Sequence, residues 1–276
     1  MLEIFKTVLL LSAQGAGAVL ILIILKPLTV KKFPARWQYQ IWLVVTVCMI
    51  IPVWKFIPQK DVQRFAPIGQ TEQSQAPQNE GNTETVIIDN TPIEYREVSV
   101  GKSASIRIYD LIAYVWLGGA ALFLCLALGS YYVFLFKKRK GSVDLKENEA
   151  FDEIKKELGI NRHIRLRVSK DNASPMLVGT LFPVVYIPGT DALKQEEEMI
   201  FRHELTHYKH GDLFYKWLTL FVNAVHWFNP LAYLLSANVT EACEVACDMA
   251  VIKNLTDEQQ RLYMETILSL VEKRRK

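Results

Sequence analysis

The chain has 276 residues, 50% of which are hydrophobic, and its formal net charge at pH 7 is +3. This composition, with a mean hydropathy of +0.11, excludes an ordinary soluble domain and favours a protein of the lipid bilayer. The small net charge gives no support for direct binding to nucleic acid.

Three apolar stretches in the N-terminal half are long enough to cross the roughly 30 Å hydrocarbon core of a bilayer. The first, residues 8–25, is predicted to be a retained span, because Lys26 and Pro27 follow it where a signal peptide would need a small-residue cleavage site. The second and third cover residues 37–57 and 110–136. We therefore predict two transmembrane helices with a short basic loop in residues 1–57, a polar loop in residues 58–109 and a third transmembrane helix in residues 110–136.

Positive charges beside these stretches predict their orientation. Between the first two lie four cations and no acid: Lys26, Lys31, Lys32 and Arg36. Four more cations follow the third stretch at positions 137–140. Cytosolic loops are enriched in Lys and Arg, so the N-terminus and the 58–109 loop, with one short strand at residues 85–88, are predicted to lie outside and residues 137–276 at the cytosolic face.

Residues 137–276 are predicted to form an α+β domain. Helical periodicity covers residues 147–158, and strand patterns follow at 164–168, 176–179 and 182–187. Prolines at positions 175, 183 and 188 cannot donate to a central ladder, so we expect short strands and an exposed edge. This edge can bind an extended peptide substrate as a further strand, or the sheet can serve only to brace the following helix. The candidate substrate strand consists of Met176, Leu177, Val178 and Gly179.

The most specific motif of the chain is H-E-x-x-H, formed by His203, Glu204 and His207. On a helix, positions four apart share one face, so both imidazoles can bind one Zn²⁺ at about 2.0–2.1 Å. Glu204 is predicted to be the general base that takes a proton from the attacking water. Thr190 or Asp191 is predicted to cap this helix.

A third protein ligand has to come from a distant part of the chain. The extended motif H-E-x-x-H-x-x-G-x-x-H is absent, since positions 210 and 213 are His and Leu, and this favours a glutamate ligand. Glu244 and Asp248 are again four residues apart on a predicted helix. One of these carboxylates can bind zinc while the other orients a ligating histidine.

Residues 213–235 are apolar enough for a fourth membrane crossing. A single crossing would place Glu244 and His203 on opposite sides of the membrane, which is incompatible with a shared ion. Asn229-Pro230 is a helix-breaking turn, so we predict a hairpin that enters the membrane or lies against it and then returns. The active site is then predicted to lie at the cytosolic membrane surface.

Other conspicuous residues have simpler interpretations. Cys243 and Cys247 are predicted to be buried apolar groups, and no disulfide is expected. Asp212 is predicted to cap the following helix. His210 and His226 are predicted to pack or to orient other groups. Four aromatic residues are predicted to anchor the chain at the membrane interface: Trp37, Tyr39, Trp54 and Tyr114. The sequence Ser99-x-x-Lys102 is predicted to match an acylation motif by chance, because no Lys-Thr-Gly follows it.

The order of these features resembles the M56 peptidases, the membrane metallopeptidase domains of bacterial β-lactam sensor-transducers. The resemblance covers nearly the whole chain: three spans, a basic boundary, Ser174-Pro175 through Gly179 to Pro183 and Pro188, the H-E-x-x-H motif, Asn229-Pro230 and Glu244-x-x-Cys247-Asp248. It implies Zn²⁺ bound by His203, His207 and Glu244, catalysis by Glu204, and orientation of a ligand by Asp248. It also implies a location in the bacterial cell membrane and a signalling function in which proteolysis inactivates a transcriptional repressor.

The C-terminal region departs from those sensors. Few residues follow the last motif up to Lys276, so no extracellular penicillin-binding domain is expected. Direct β-lactam sensing is not expected, and the signal is predicted to come from the 58–109 loop, the lipid or a separate sensor subunit. Two alternatives remain open: a quality-control protease for many membrane proteins, and a signalling scaffold that keeps zinc without turnover.

Overall fold

A computed structural model of the protein describes residues 2–52, 108–145, 147–169, 174–189 and 194–275. The helices in these ranges are α1 (Leu2–Lys32), α2 (Ala35–Cys48), α3 (Ile108–Lys140), α4 (Glu149–Glu157), α5 (Lys194–His210), α6 (Asp212–Val225), α7 (Pro230–Ile252) and α8 (Asp257–Arg275). The strands are β1 (Ser142–Leu145), β2 (Arg165–Ser169), β3 (Met176–Val178) and β4 (Val184–Pro188). Outside the described residues lie the predicted strand at 85–88, the cap at Thr190 or Asp191, Trp54, Ser99 and Lys102.

Among the helices in the described ranges, α1 and α3 are long and apolar enough to cross a membrane. Their candidate spans have 30 and 31 residues, and α3 ends in the basic cluster at 137–140. Helix α2 has 14 residues and is about 21 Å long, which is shorter than the hydrocarbon core. The structure describes this second stretch only as far as residue 52, so the predicted span at residues 37–57 stays a prediction.

The predicted α+β domain contains one four-stranded sheet with the order β1-β2-β4-β3. Strand β1 is antiparallel to β2, β2 is parallel to β4, and β3 is antiparallel to β4. Strand β3 is thus an edge strand, as the prolines predict. Strand β1 is not predicted from the sequence, because it is only four residues long and mostly exposed.

Helices α4 and α5 share a hydrophobic core with the sheet. Phe151 and Ile154 of α4 pack with Phe201 and Leu205 of α5 and with Val185 of β4. The rings of Phe151 and Phe201 meet edge to face at 5.2 Å, a favourable aromatic geometry. This core fixes one side of α5, while α7 and α8 contact the same helix elsewhere.

Helices α6 and α7 form the predicted hairpin and pack against each other. Asn229 caps α7 by accepting from the backbone N–H of Leu231, and Pro230 begins the helix, a position where proline costs no hydrogen bond. Hydrogen bonds connect the turn region to α1, to the end of α2 and to α3. Asn229 Nδ2 donates to Ser12 Oγ at 2.8 Å, and His226 Nε2 donates to the Met49 carbonyl at 3.0 Å. Trp116 Nε1 donates to the Val225 carbonyl at 2.8 Å. The chain therefore doubles back before it reaches Glu244.

Candidate metal centre

Helix α5 carries both histidines of the motif on one face. The Nε2 atoms of His203 and His207 are 3.1 Å apart, and the two rings are nearly perpendicular, with centroids separated by 4.6 Å. The four-residue spacing therefore directs two imidazole donors to one point, as the motif predicts.

Glu244 of α7 approaches the same point. Its Oε2 lies 3.3 Å from Nε2 of His207 and 3.7 Å from Nε2 of His203. Ligands of one tetrahedral zinc at about 2.0–2.1 Å are separated by about 3.3–3.4 Å. The observed distances fit that geometry, so these three side chains could hold one Zn²⁺ and leave a fourth position open.

Cys247 offers a competing donor beside the histidines. Potential ligand atoms of Cys247, His203 and His207 all lie within 4.8 Å of one another. The sulfur, however, is 3.8 Å from Nδ1 of His203 and donates to the carbonyl of the same residue at 3.4 Å. Because the close pair of nitrogens is Nε2 with Nε2, this position favours Glu244 over Cys247 as the third donor.

Glu204 lies beside the donor set and is only 6% exposed. Burial raises the pKa of its carboxyl group, and the charges of His203 and His207 oppose that shift. Glu204 also lines the cleft into which the histidines open. A carboxylate of raised pKa in such a position is suited to accept a proton from water.

Each histidine contacts a carboxylate through its other ring nitrogen. Nδ1 of His207 is 2.6 Å from Oδ2 of Asp212, and Nδ1 of His203 is 3.3 Å from Oδ1 of Asp248. Such carboxylates fix the tautomer and the orientation of a metal-binding imidazole. Asp248 is therefore placed where the predicted orienting carboxylate has to be.

The prediction that Asp212 caps α6 is wrong. The cap is Gly211, which has a left-handed φ of 76° and provides no side-chain hydrogen bond to the helix. Glycine reaches this conformation without steric cost, so the backbone turns sharply between α5 and α6. Asp212 then begins α6 with its side chain buried against His207, and the sequence does not predict this second carboxylate beside a histidine.

Tyr263 of α8 is a further member of the site that the sequence does not predict. Its hydroxyl donates to Oδ1 of Asp248 at 2.6 Å and lies 2.7 Å from Nδ1 of His203. The side chain is 2% exposed. A tyrosine 60 residues from His203, on a helix without a recognisable motif, gives no signal in one sequence.

The electrostatic environment of the two histidines favours positive charge. Burial alone would lower the pKa of His207, but hydrogen bonds, with that of Asp212 first among them, raise it to about 11. The pKa of His203 is likewise raised against the effect of burial, mainly by Asp248. Burial would raise the pKa of Glu244, yet the two histidines hold it well below its usual value. Carboxylates that stabilise protons on these rings also favour a divalent cation between them.

The donor set opens into a cleft of about 500 Å³. Met176 and Leu177 of the edge strand β3 line this cleft. Val178 and Gly179, the other two residues of the predicted substrate strand, line a different cavity. The structure therefore brings half of that strand to the candidate centre.

Helices α6 and α8 provide other walls of the cleft. Ile267, Leu270 and Val271 of α8 contribute apolar surface. Lys216 of α6 also lines the cleft, and its Nζ is 3.6 Å from Oε1 of Glu244. Among the described lining residues it is the one lysine or arginine, which gives this carboxylate a cationic neighbour.

The other residues for which the sequence predicts a role lie away from the donor set or pack beside it. Cys243 and Cys247 are buried free thiols, as predicted. His226 is fully buried in the hairpin turn, and His210 is exposed at the end of α5. For the predicted interface anchors, Trp37 stacks on Phe33 at 4.3 Å, Tyr39 meets Tyr215 edge to face at 5.2 Å, and Tyr114 is 57% exposed.

Membrane helices joined to a small sheet and an H-E-x-x-H helix are the arrangement expected of a metallopeptidase built into a membrane. The model of the BlaR1 peptidase M56 family matches residues 6–276, so the chain belongs to the M56 peptidase family. The predicted resemblance is thereby confirmed.

Two curated relatives show how far the similarity extends. The chain is 27% identical over 256 residues to the regulatory protein BlaR1 of Bacillus licheniformis, covering 90% of this chain and 43% of that protein. It is 25% identical over 243 residues to the methicillin resistance mecR1 protein of Staphylococcus aureus (strain Mu50), covering 84% of this chain and 40% of that protein. The chain thus spans less than half the length of these relatives.

Proposed function

We propose that the protein is a membrane-embedded zinc metalloendopeptidase that cleaves a peptide bond at the cytosolic membrane surface. This proposal rests on one observation. The donor atoms of His203, His207 and Glu244 converge to within 3.1–3.7 Å of one another, beside the buried Glu204. When bound there, Zn²⁺ would supply a Lewis acid that polarises a carbonyl group and makes water more acidic.

The chain's own residues transfer the proton and stabilise the charges that develop during hydrolysis. Glu204 accepts a proton from the attacking water and passes it to the leaving amine. Asp212 and Asp248 keep the imidazoles oriented. Lys216 places a positive charge in the cleft, where it offsets the negative charge that develops on the carbonyl oxygen.

The edge strand β3 supports binding of an extended substrate. One side of β3 pairs with β4, and no pairing partner occupies its other side within the described residues. A peptide added there as a strand would run beside Met176 and Leu177, which line the cleft. The apolar wall from α8 favours an apolar substrate side chain near the scissile bond.

We further infer that cleavage serves regulatory signalling in a bacterial membrane, through inactivation of a transcriptional repressor. Support comes from relatives that are named as regulatory and methicillin-resistance proteins. The inducing signal would reach the peptidase through the 58–109 loop, the lipid or a separate sensor subunit.

Exchange of Glu204 for Gln tests the proposed chemistry. The amide keeps the shape of the side chain but cannot accept the water proton at neutral pH. Membranes from cells with wild-type protein and with Glu204→Gln would be compared by terminal labelling and mass spectrometry, after equal zinc content and equal thermal stability are verified. We expect new protein N-termini in the wild type only, and equal cleavage by both proteins would refute the proposal.

The same comparison separates the alternatives. A dedicated regulator yields cleavage of one or a few clients, among them a DNA-binding repressor, whereas a quality-control protease yields many unrelated clients. A zinc-binding scaffold without turnover yields no difference in N-termini, and its signalling output survives the Glu204→Gln exchange.

A further inference from the structure

The turn between β3 and β4 exposes two large apolar side chains in succession. Leu181 is 70% exposed and Phe182 is 78% exposed. The conformation of this turn requires glycine at position 179, because Gly179 has a φ of +87° and an added Cβ would lie 2.6 Å from the Phe182 carbonyl oxygen. Arg162 also donates a hydrogen bond to the Leu181 carbonyl. Adjacent large apolar side chains exposed on a domain surface suit a contact with a partner or a membrane.

The apolar tip lies next to the cytosolic end of the membrane helix α3. Leu181 and Phe182 line a cavity of about 390 Å³ together with Tyr132, Leu135 and Arg139 of α3. Tyr132 and Arg139 are seven positions apart, or about 10 Å along the helix axis. The cavity therefore extends from apolar and aromatic residues of the span to the basic cluster at 137–140, which marks the membrane boundary.

Two arginines give the polar end of this cavity a positive charge. Arg139 of α3 and Arg165 of β2 both line it. Within the described ranges neither arginine forms an ion pair, whereas Arg167, Arg202 and Arg261 do. Guanidinium groups bind phosphate oxygens through paired N–H donors.

We propose that this cavity binds one anionic phospholipid of the inner leaflet. Its phosphate lies between Arg139 and Arg165, its acyl chains lie along Tyr132 and Leu135, and the Leu181–Phe182 tip enters the interfacial layer. Basic pockets beside the cytosolic ends of membrane helices suit such headgroups, and aromatic side chains suit the interface. The site does not depend on the proposed peptidase chemistry, but a lipid bound there would anchor to the membrane the turn that follows β3, the strand that lines the zinc cleft.

Lipid selectivity is the first test. Full-length protein would be released from nanodiscs containing phosphatidylglycerol and phosphatidylcholine in equal amounts, and the bound lipid identified by native mass spectrometry. We expect a preference for phosphatidylglycerol that falls about 30-fold in the double variant Arg139→Gln, Arg165→Gln, since each cation near the membrane surface contributes roughly fivefold. The control neutralises two exposed lysines elsewhere, Lys209→Gln and Lys253→Gln, and should keep the preference. An equal loss in both double variants, or no preference in the wild type, would overturn the proposal.

Depth of insertion is an independent test. In a background with the four cysteines replaced, Phe182→Cys and the exposed control Glu153→Cys would each carry an environment-sensitive fluorophore. Spin-labelled phospholipid with a shallow label should quench the probe at position 182 and spare the one at 153, while aqueous iodide should do the reverse. Quenching of position 182 by iodide alone would show that the tip faces water and would overturn the proposal.

Discussion

Asp212 and Asp248 both contact the rings of the candidate ligands, but they are not equivalent. Nδ1 of His207 has Asp212 at 2.6 Å, whereas Nδ1 of His203 has both the Tyr263 hydroxyl at 2.7 Å and Asp248 at 3.3 Å. When one of two partners is lost, the other can still fix the tautomer of the ring. Loss of Asp212 therefore removes more orientation than loss of Asp248.

We predict that Asp212→Asn lowers zinc affinity by about 10–100-fold and that Asp248→Asn lowers it less. Competition of each purified variant with a chromogenic zinc chelator measures the affinity. Glu153→Gln, which removes an exposed carboxylate far along the chain in α4, serves as the control and should be unchanged. A larger loss for Asp248→Asn than for Asp212→Asn would contradict the arrangement of partners described above.

The residues of the site differ in how far one sequence can reveal them. The H-E-x-x-H spacing and the four-residue spacing of Glu244 and Asp248 follow from helical geometry, so they can be recognised without a structure. The sequence favours a helix cap at Asp212 because an acidic residue after glycine matches that pattern, and only the left-handed conformation of Gly211 shows that the side chain turns inward. Tyr263 enters the site through tertiary packing alone.

At the scale of elements, the α6–α7 hairpin is fastened to the membrane helices at its turn. Ser12 of α1 accepts a hydrogen bond from Asn229. Lys26, where the cations of α1 begin, lies about 21 Å further along the same helix. The turn thus lies deep beside α1, which supports the prediction that the hairpin enters the bilayer. Gly119 of α3 makes room for the same turn, since an added Cβ would lie 2.5 Å from the Trp227 ring.

Alanine at Gly119 is therefore expected to destabilise the protein. The Trp227 ring cannot move away freely, because its Nε1 donates to the Trp116 carbonyl at 3.2 Å, and overpacking of this kind typically costs about 1–3 kcal/mol. The adjacent Gly118 is a matched control, because an added Cβ there meets nothing within 4 Å. Thermal unfolding in detergent should show a lower midpoint for Gly119→Ala than for Gly118→Ala, and equal midpoints would mean that α3 does not dock tightly on the hairpin.

Elements with a strong local pattern are the ones that the sequence predicts best. The helix ending near Gly159, three of the strands and the break at Asn229-Pro230 follow from periodicity, caps and prolines. Strand β1 is too short to show alternation, and its pairing with β2 depends on where α3 ends. Helix α2 ends at Cys48 although apolar sequence continues, since hydropathy alone does not report where a helix stops.

At the scale of the whole molecule, two constraints fix the predicted topology. The basic cluster that ends α3 is predicted to be cytosolic, and β1 begins immediately after it. The proximity of Glu244 to His203 places α7 on the same side as α5. Residues 142 and 254, which lie before and after the zinc motifs, are therefore both expected in the cytosol, and the 58–109 segment outside.

Single cysteines test this topology in a background that lacks Cys48, Cys125, Cys243 and Cys247. Cysteines at Ser142 and Asn254 should resist an impermeant thiol reagent applied to intact cells, and both should react after the membrane is permeabilised. A cysteine at Gln78 should react in intact cells. Labelling of position 254 from outside would mean that α6 crosses the membrane without returning, and Glu244 could then not share an ion with His203.

Helices α5 and α7 are proposed to hold one catalytic zinc between them, and the metal content of purified protein is the decisive measurement. Elemental analysis should find about one zinc per chain in the wild type and in His210→Ala, whose imidazole is exposed at the end of α5. The double variant His203→Ala, His207→Ala should contain almost none, because it loses two of three protein ligands, and Glu244→Ala should contain much less than the wild type. One zinc per chain in the folded double-histidine variant would show that these histidines do not bind the metal.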